Sequence, residues 1–274
     1  MYKNRLAIIM SVYKNDMIDE VKLAVESILN QTYKNFDFYI QLDGAIDVLV
    51  DDYLRRINDD RVKIKARSDN KGLAISLNEL LSIVQRKDYT FIARMDADDI
   101  SILDRFEKQI SYLQMHPEID LVGGAINEID EKGNDRGKVT CYPREPEECY
   151  HFFAKRNPVA HPTVMFRRSF FEKVGWYYPT DFVRNEDTRL WHEGFKSGCK
   201  IANLSDVVLN FRMTDDMFKQ RRNGKIFAKS QLKLRKIIAK DLGYGPISVL
   251  YAYAMYILML SPSWVLKLAY KVLR

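Results

Sequence analysis

Tyr89-Thr90-Phe91-Ile92-Ala93-Arg94-Met95-Asp96-Ala97-Asp98-Asp99 is the stretch on which the architecture turns. Its first seven residues read as a buried strand, and the run ends abruptly in three carboxylates within four residues. Like charges so close repel, and a hard divalent cation with oxygen ligands relieves that repulsion. The competing reading is helix capping by Asp99 or Ser101, ahead of a helix around Leu103. Capping needs one acceptor, not three, so the count favours a metal.

The same pattern recurs on either side. Leu6–Val12 is an apolar run that stops at polar Tyr13-Lys14-Asn15, and residues 36–42 form a second run stopped by Asp43-Gly44. Residues 61–65 make a short third strand, followed by Asn70-Lys71-Gly72. Between the strands, Val21, Ala24, Val25, Ile28 and Leu29 share one helical face, as do Leu73, Leu77, Leu80, Leu81 and Val84. Leu103, Phe106, Ile110 and Leu113 mark a further helix before a strand at Leu121–Ile129. Alternating strands and helices predict a mostly parallel sheet covered on both faces. Ligands bind such sheets beyond the carboxyl ends of the strands. Tyr13, Asp43, Asn70 and Asp96–Asp99 all fall there, so they are expected to gather on one edge.

Later elements are less regular. Residues 159–167 and 207–213 read as strands, 188–197 as a helix, and 133–146 as a loop rich in Gly, Pro and charge. From residue 217 the character changes. Residues 217–274 hold 12 Lys or Arg against one acid, Asp241, a balance of +11; the rest holds 31 bases and 36 acids, a balance of −5. The expected division is therefore an α/β domain at 1–216 and a helical tail at 217–274. Lys219, Arg221, Arg222, Lys225 and the bases that follow them are interleaved with Phe227, Leu234, Ile237 and Ile238, as in a basic amphipathic helix. The uncharged run at 242–266 is broken by Gly243, Gly245, Pro246 and Pro262. Its longest uninterrupted helix is about 22 Å, against a hydrocarbon core of ~30 Å. It therefore suits the plane of a membrane surface, with Trp264 at headgroup depth. A hairpin packed on the chain's own core or on a second subunit is the alternative.

Several chemistries are excluded. The three cysteines, Cys141, Cys149 and Cys199, are odd in number and lack CxxC spacing, so they read as reduced thiols rather than a disulfide framework or zinc site. Residues 1–12 lack the order of parts of a signal peptide. The expected location is cytoplasmic, peripheral at the inner face of the cell membrane. No GxGxxG or GxxxxGK[ST] loop is present; Gly133-Asn134-Asp135-Arg136-Gly137-Lys138 is one residue short of the latter. Phosphates would then be held by a metal, Mn²⁺ or Mg²⁺.

Ser11-Val12-Tyr13, Ser27-Ile28-Leu29-Asn30-Gln31-Thr32-Tyr33, Leu42-Asp43-Gly44-Ala45, Asn70-Lys71-Gly72, Asp96-Ala97-Asp98-Asp99 and Asn185-Glu186-Asp187 follow in one order. This ordered set, within residues 5–215, resembles the family 2 glycosyltransferases of the Rossmann-like GT-A fold. The likeness is greatest to the bacterial enzymes of O-antigen, capsule and exopolysaccharide synthesis. The resemblance implies that Ser11, Tyr13, Asp43, Asn70, Asp96 and Ala97 bind a UDP-sugar, with Tyr13 and Asp43 at the uracil and Asp96 at the ribose. It implies Asp98 as metal ligand and Asp187 as the base that deprotonates an acceptor hydroxyl, with inversion. Relatives often carry two aspartates before the glycine and a serine after it; here Leu42 and Ala45 stand in those places.

Each residue has a structural counterpart to that reading. Asp43-Gly44 also makes a turn; Glu186, a candidate contact to acceptor or diphosphate, and Asp187 also suit a helix N-terminus. Trp191, four residues beyond Asp187, is expected to stack on an acceptor sugar. His161 is either a contact to diphosphate, metal or acceptor, or a hydrogen-bonded histidine at a strand start. Arg212 is either a phosphate contact or a surface residue. His116, His151 and His192 receive no role. The expected function is transfer of a hexose or N-acetylhexosamine from a UDP-sugar to a saccharide acceptor, lipid-linked if the tail lies on the membrane. The rivals are a sugar-phosphate nucleotidyltransferase, a non-catalytic membrane adaptor and nucleic-acid binding by the tail. The uncharged run fits lipid better than nucleic acid, so no nucleic acid is expected as partner.

Overall fold

Leu6–Val12 (β1) shows why the first strands carry no polar alternation. Leu6, Ile8, Met10 and Val12 join one buried cluster while Ala7 and Ile9 join another, so both faces of the strand are covered. The computed structural model describes residues 4–182, 184–214, 225–261 and 265. After β1 come α1 (Ile18–Leu29), β2 (Phe36–Asp43), α2 (Val48–Arg55), β3 (Val62–Arg67), α3 (Leu73–Val84) and β4 (Phe91–Met95). Then follow β5 (Ile100–Ser101), α4 (Arg105–Met115), β6 (Leu121–Ile129), β7 (Asp135–Thr140) and α5 (Pro146–Phe153). A 3-10 turn at His161–Thr163 leads into β8 (Met165–Arg167), α6 (Arg168–Val174), α7 (Glu186–Lys196) and β9 (Ile201–Arg212). The tail contributes α8 (Lys225–Asp241) and α9 (Pro246–Leu260).

One sheet runs in the order β3-β2-β1-β4-β8-β6-β9-β5, with β7 beside β6. Its first half is parallel, as expected: β1 pairs in parallel with β2 and β4, and β2 with β3. In the second half β6 and β9 run parallel, whereas β8 is antiparallel to β4 and β6, β5 to β9, and β7 to β6. The sheet is thus α/β and mixed. Helices α1, α2 and α4 bury their apolar stripes on one face, and α3, α5, α6 and α7 on the other.

The differences from expectation have local causes. Leu103 is exposed because α4 begins two residues later. The 159–167 run yields only three strand residues, because Pro162 sits in the 3-10 turn and has no N–H for a ladder. The 133–146 segment is not all loop: Asp130 accepts from the Lys132 and Asn134 N–H groups, turning the chain so that β7 returns along β6. Exposed residues from Asp135 to Gly137 conceal that edge strand.

In the tail, α8 sends Leu234 and Ile238 into the second core cluster and packs against α9. Hairpin packing on the body is therefore present, while the outer side of α9 stays exposed at Ile247, Leu250 and Ile257. Met217, Lys219, Arg221, Arg222, Trp264, Lys267, Lys271 and Arg274 lie outside the described residues. Among the described residues no helix is long and apolar enough to cross a membrane. All three cysteines are free thiols.

Candidate active site

Parallel pairing brings three strand ends together. Val12 lies opposite Leu42 and Met10 opposite Met95, so Tyr13, Asp43 and Asp96 leave the sheet on the same edge. A cavity of about 940 Å³ opens there. Ser11, Tyr13, Asp43, Asn70, Asp96, Ala97, Asp98, His161, Glu186, Asp187 and Arg212 line it.

Asp43 is the knot of one wall of the cavity. Its carboxylate accepts from the Lys71 N–H at 2.7 Å and the Gly72 N–H at 2.9 Å, and is ion-paired with Arg67. Asn70 donates to the Asp43 carbonyl at 3.1 Å. The two loops cross so closely that a Cβ on Gly44 would stand 2.7 Å from the Asn70 nitrogen, and Gly44 takes φ +83°. Asp43-Gly44 is thus a turn as well as a wall of the cavity.

Asp96, Asp98 and Asp99 present ligand atoms within 4.8 Å of one another. Asp96 is ion-paired with buried Arg94. Asp99 is buried; one oxygen accepts the Arg212 N–H at 2.8 Å and the other has no hydrogen-bond partner. Burial first, then the Asp98 and Asp96 carboxylates, push Asp99 well above the ordinary carboxylate range. Neither Asp99 nor Ser101 caps α4, whose N-cap position is Asp104. Three converging carboxylates, one with a buried orphan oxygen, are a donor set that fits a divalent cation.

Arg212 lines the cavity and is not a surface residue. It is buried at the end of β9, and its guanidinium donates to the carbonyls of Asp98 at 2.8 Å, Asp130 at 3.2 Å and Glu131 at 2.9 Å, with Glu20 at 3.4 Å. It holds the acidic loop in place. Trp191 does not face the cavity as expected: it is fully buried against Phe166 and His161, with ring centroids at 6.0 and 5.7 Å, and is not among the lining residues. Four residues along α7 is ~6 Å of rise, and that carries the side chain past the cavity into the core.

Asp187 stands in the first turn of α7, half-buried. One carboxylate oxygen accepts from Asn157 Nδ2 at 3.0 Å, the other from the Thr188 N–H and hydroxyl. Asn157 in turn accepts from Arg235 of α8 at 3.1 Å. Burial, and then Asp187, raise Glu186 above the ordinary range. Sequence reasoning missed Asn157, Arg235 and Arg94. Only Arg94 carried a signal, a charge inside an apolar strand.

His161 lines the cavity and is a hydrogen-bonded histidine at once, its Nε2 3.3 Å from the Tyr178 hydroxyl. Burial, and next the Arg94 guanidinium, hold it well below the usual histidine range, so it is neutral and brings no positive charge to a diphosphate. Below about pH 6.5 the unfolded chain binds a proton that the folded chain refuses, so stability falls as pH drops. His192 shifts in the same direction, from burial first and Arg189 second. Between about pH 7 and about pH 5, His161→Gln is expected to lose less stability than wild type, read by urea unfolding at each pH. Equal losses would mean that His161 is protonated in the folded protein.

An α/β enzyme with an acidic, metal-competent cleft at its parallel strand ends is the class these features define. The profile described as Glycosyl transferase family 2 matches residues 7–175. The amylovoran biosynthesis glycosyltransferase AmsE of Erwinia amylovora is 32% identical over 241 residues, 87% of this chain and 88% of the relative. The O-antigen biosynthesis glycosyltransferase WbnJ of Escherichia coli is 32% identical over 76% of this chain and 79% of its own. An Escherichia coli UDP-Gal:alpha-D-GlcNAc-diphosphoundecaprenol beta-1,3-galactosyltransferase is 24% identical over 84% and 81%. In fold, the chain is similar to Staphylococcus aureus TarS 1-349 in complex with UDP-GlcNAc (TM-score 0.66, 13% identity, 92% of this chain and 70% of that one). It is also similar to the mannosyltransferase PcManGT of Pyrobaculum calidifontis in complex with GDP-Man and Mn²⁺ (0.59, 17%, 99% and 81%). The chain belongs to the family 2 glycosyltransferases.

Proposed function

We propose that this glycosyltransferase moves a hexose or N-acetylhexosamine from a UDP-sugar to a hydroxyl of a lipid-linked saccharide, with inversion, in surface polysaccharide synthesis. The observation that carries the reading is the single cavity that holds both the strand-end carboxylates and Asp187. Ser11, Tyr13, Asp43, Asn70, Asp96 and Ala97 form the donor wall in this reading. Asp98, with Asp96 and Asp99 beside it, would hold Mn²⁺ or Mg²⁺, which stabilises the charge of a diphosphate leaving group when bound. Asp187 takes the proton of the acceptor hydroxyl as its oxygen bonds to the anomeric carbon and the carbon–oxygen bond to UDP breaks. Asn157 and Thr188 orient that carboxylate. The names of the amylovoran, O-antigen and diphosphoundecaprenol relatives support the pathway and the acceptor class. The UDP-GlcNAc complex of TarS supports the donor, and the PcManGT complex supports the metal. The place of action is the inner face of the cell membrane, the tail of 217–274 serving as attachment to the catalytic domain of 1–216.

Calorimetric titration with UDP-, GDP- and dTDP-sugars, with Mn²⁺ or with EDTA, tests this. A UDP-sugar is expected to bind with metal, and Asp98→Ala or EDTA to weaken it at least about tenfold, the loss of several kcal/mol of charge stabilisation allowing more. Preference for another nucleotide, or equal binding in EDTA, would overturn the donor and metal assignments respectively.

A further inference from the structure

The two tail helices divide their surfaces sharply. On α8, Lys225, Lys229, Lys233, Lys236 and Lys240 are all exposed. At ~100° per residue they fall within an arc of about 80°. The opposite side of α8 is buried at Phe227, Leu234 and Ile238. On α9, Ile247, Leu250, Tyr253, Ile257 and Leu260 are exposed on one side. Its other side, including Tyr251, Met255 and Met259, walls the cavity. The two rows adjoin, since Lys236 Nζ lies 5.8 Å from the Tyr253 ring centroid.

We propose that the lysine row of α8 and the apolar row of α9 form one docking surface for an anionic phospholipid bilayer, with α9 lying between the lipid and the cavity. The charge is complementary: α8 bears no acid but Asp241, which faces His192 and Lys196 instead. An uncharged helix of 15 residues is too short to span and suits the headgroup boundary. Tyr253 sits where an amphipathic ring belongs at such a boundary. The surface gives the lipid-linked acceptor of the proposed reaction a place to arrive from, and rests on that reading for its purpose alone.

Co-sedimentation of the full chain with vesicles of phosphatidylcholine, alone or mixed with phosphatidylglycerol, tests it. Binding is expected to need the anionic lipid and to fall with salt. Each lysine near such a surface contributes about fivefold to partitioning, so Lys229→Gln/Lys236→Gln/Lys240→Gln is expected to bind about a hundredfold more weakly. Leu250→Ser/Ile257→Ser is expected to lose about tenfold or more. All these positions are exposed, and thermal melts matching wild type show that the fold is kept. Equal binding to both vesicles, or no effect of either variant set, overturns the proposal. So does a dimer, seen by light scattering, that Leu250→Ser/Ile257→Ser dissolves while vesicle binding persists. The assay contains neither donor nor acceptor, so its failure leaves the transfer reading standing. A chain that binds vesicles and transfers no sugar would end that reading and leave this one.

Discussion

Asp187→Asn is expected to lower kcat by about 10²- to 10⁴-fold, the range over which a positioned general base contributes. The asparagine keeps the volume, and its oxygen can still accept from Thr188 or Asn157, which now hold the carboxylate. It cannot take a proton. The rival explanation, an acid that merely suits the N-terminus of α7, is worth about 0.3–1 kcal/mol, less than tenfold in any rate. Magnitude therefore separates the two. The measurement is kcat with a fixed acceptor, beside the donor Kd by calorimetry and the melting temperature. A kcat loss under tenfold, or one matched by a lost donor affinity or a large drop in melting temperature, would remove Asp187 as the base.

Asp43→Ala is expected to cost about 3–5 kcal/mol of folding stability, as removal of one partner from a buried ion pair does. The side chains of Asp43 and Arg67 are 3% and 10% exposed, so solvent does little to screen them. The variant leaves Arg67 with Glu79 as its remaining ion-pair partner and deprives the Lys71 and Gly72 N–H groups of their acceptor. Glu79 is 40% exposed, so the loss falls toward the lower end of the range. Against a total of roughly 5–15 kcal/mol for a domain, that is a large fraction. Urea unfolding measures it. A change below about 1 kcal/mol would place the pair with the screened surface ion pairs. Donor affinity is expected to fall with it, because the same carboxylate shapes the Asn70–Gly72 turn.

Much of the acidic strand-end edge is legible in the sequence. An apolar run followed at once by Asp43 or Asp96 is a local signal, and parallel strands place such ends side by side wherever the chain forms them. The mixed half of the sheet was less legible. β8 has three residues and β5 two, too few to show a period, and β7 bears charges on its outer edge. Trp191 was misplaced for a related reason. Helical spacing puts it near Asp187, but whether the next turn faces a ligand or a neighbouring strand depends on what α7 packs against.

The amino-acid order by itself determined the α/β layering, the strand-end carboxylates, the place of Asp187 beside a helix N-terminus and the split between an acidic body and a basic tail. Those properties depend on neighbours within a few residues. Tertiary structure alone decided that Arg212 grips the carbonyl of Asp98, that Arg67 pairs with Asp43, and that Arg235 of the tail supports Asn157 beside Asp187. Arginine is the same long cation in every such place, and its partner is whichever acceptor the sheet order and helix packing bring within about 3 Å. That choice belongs to contacts between segments far apart in the chain.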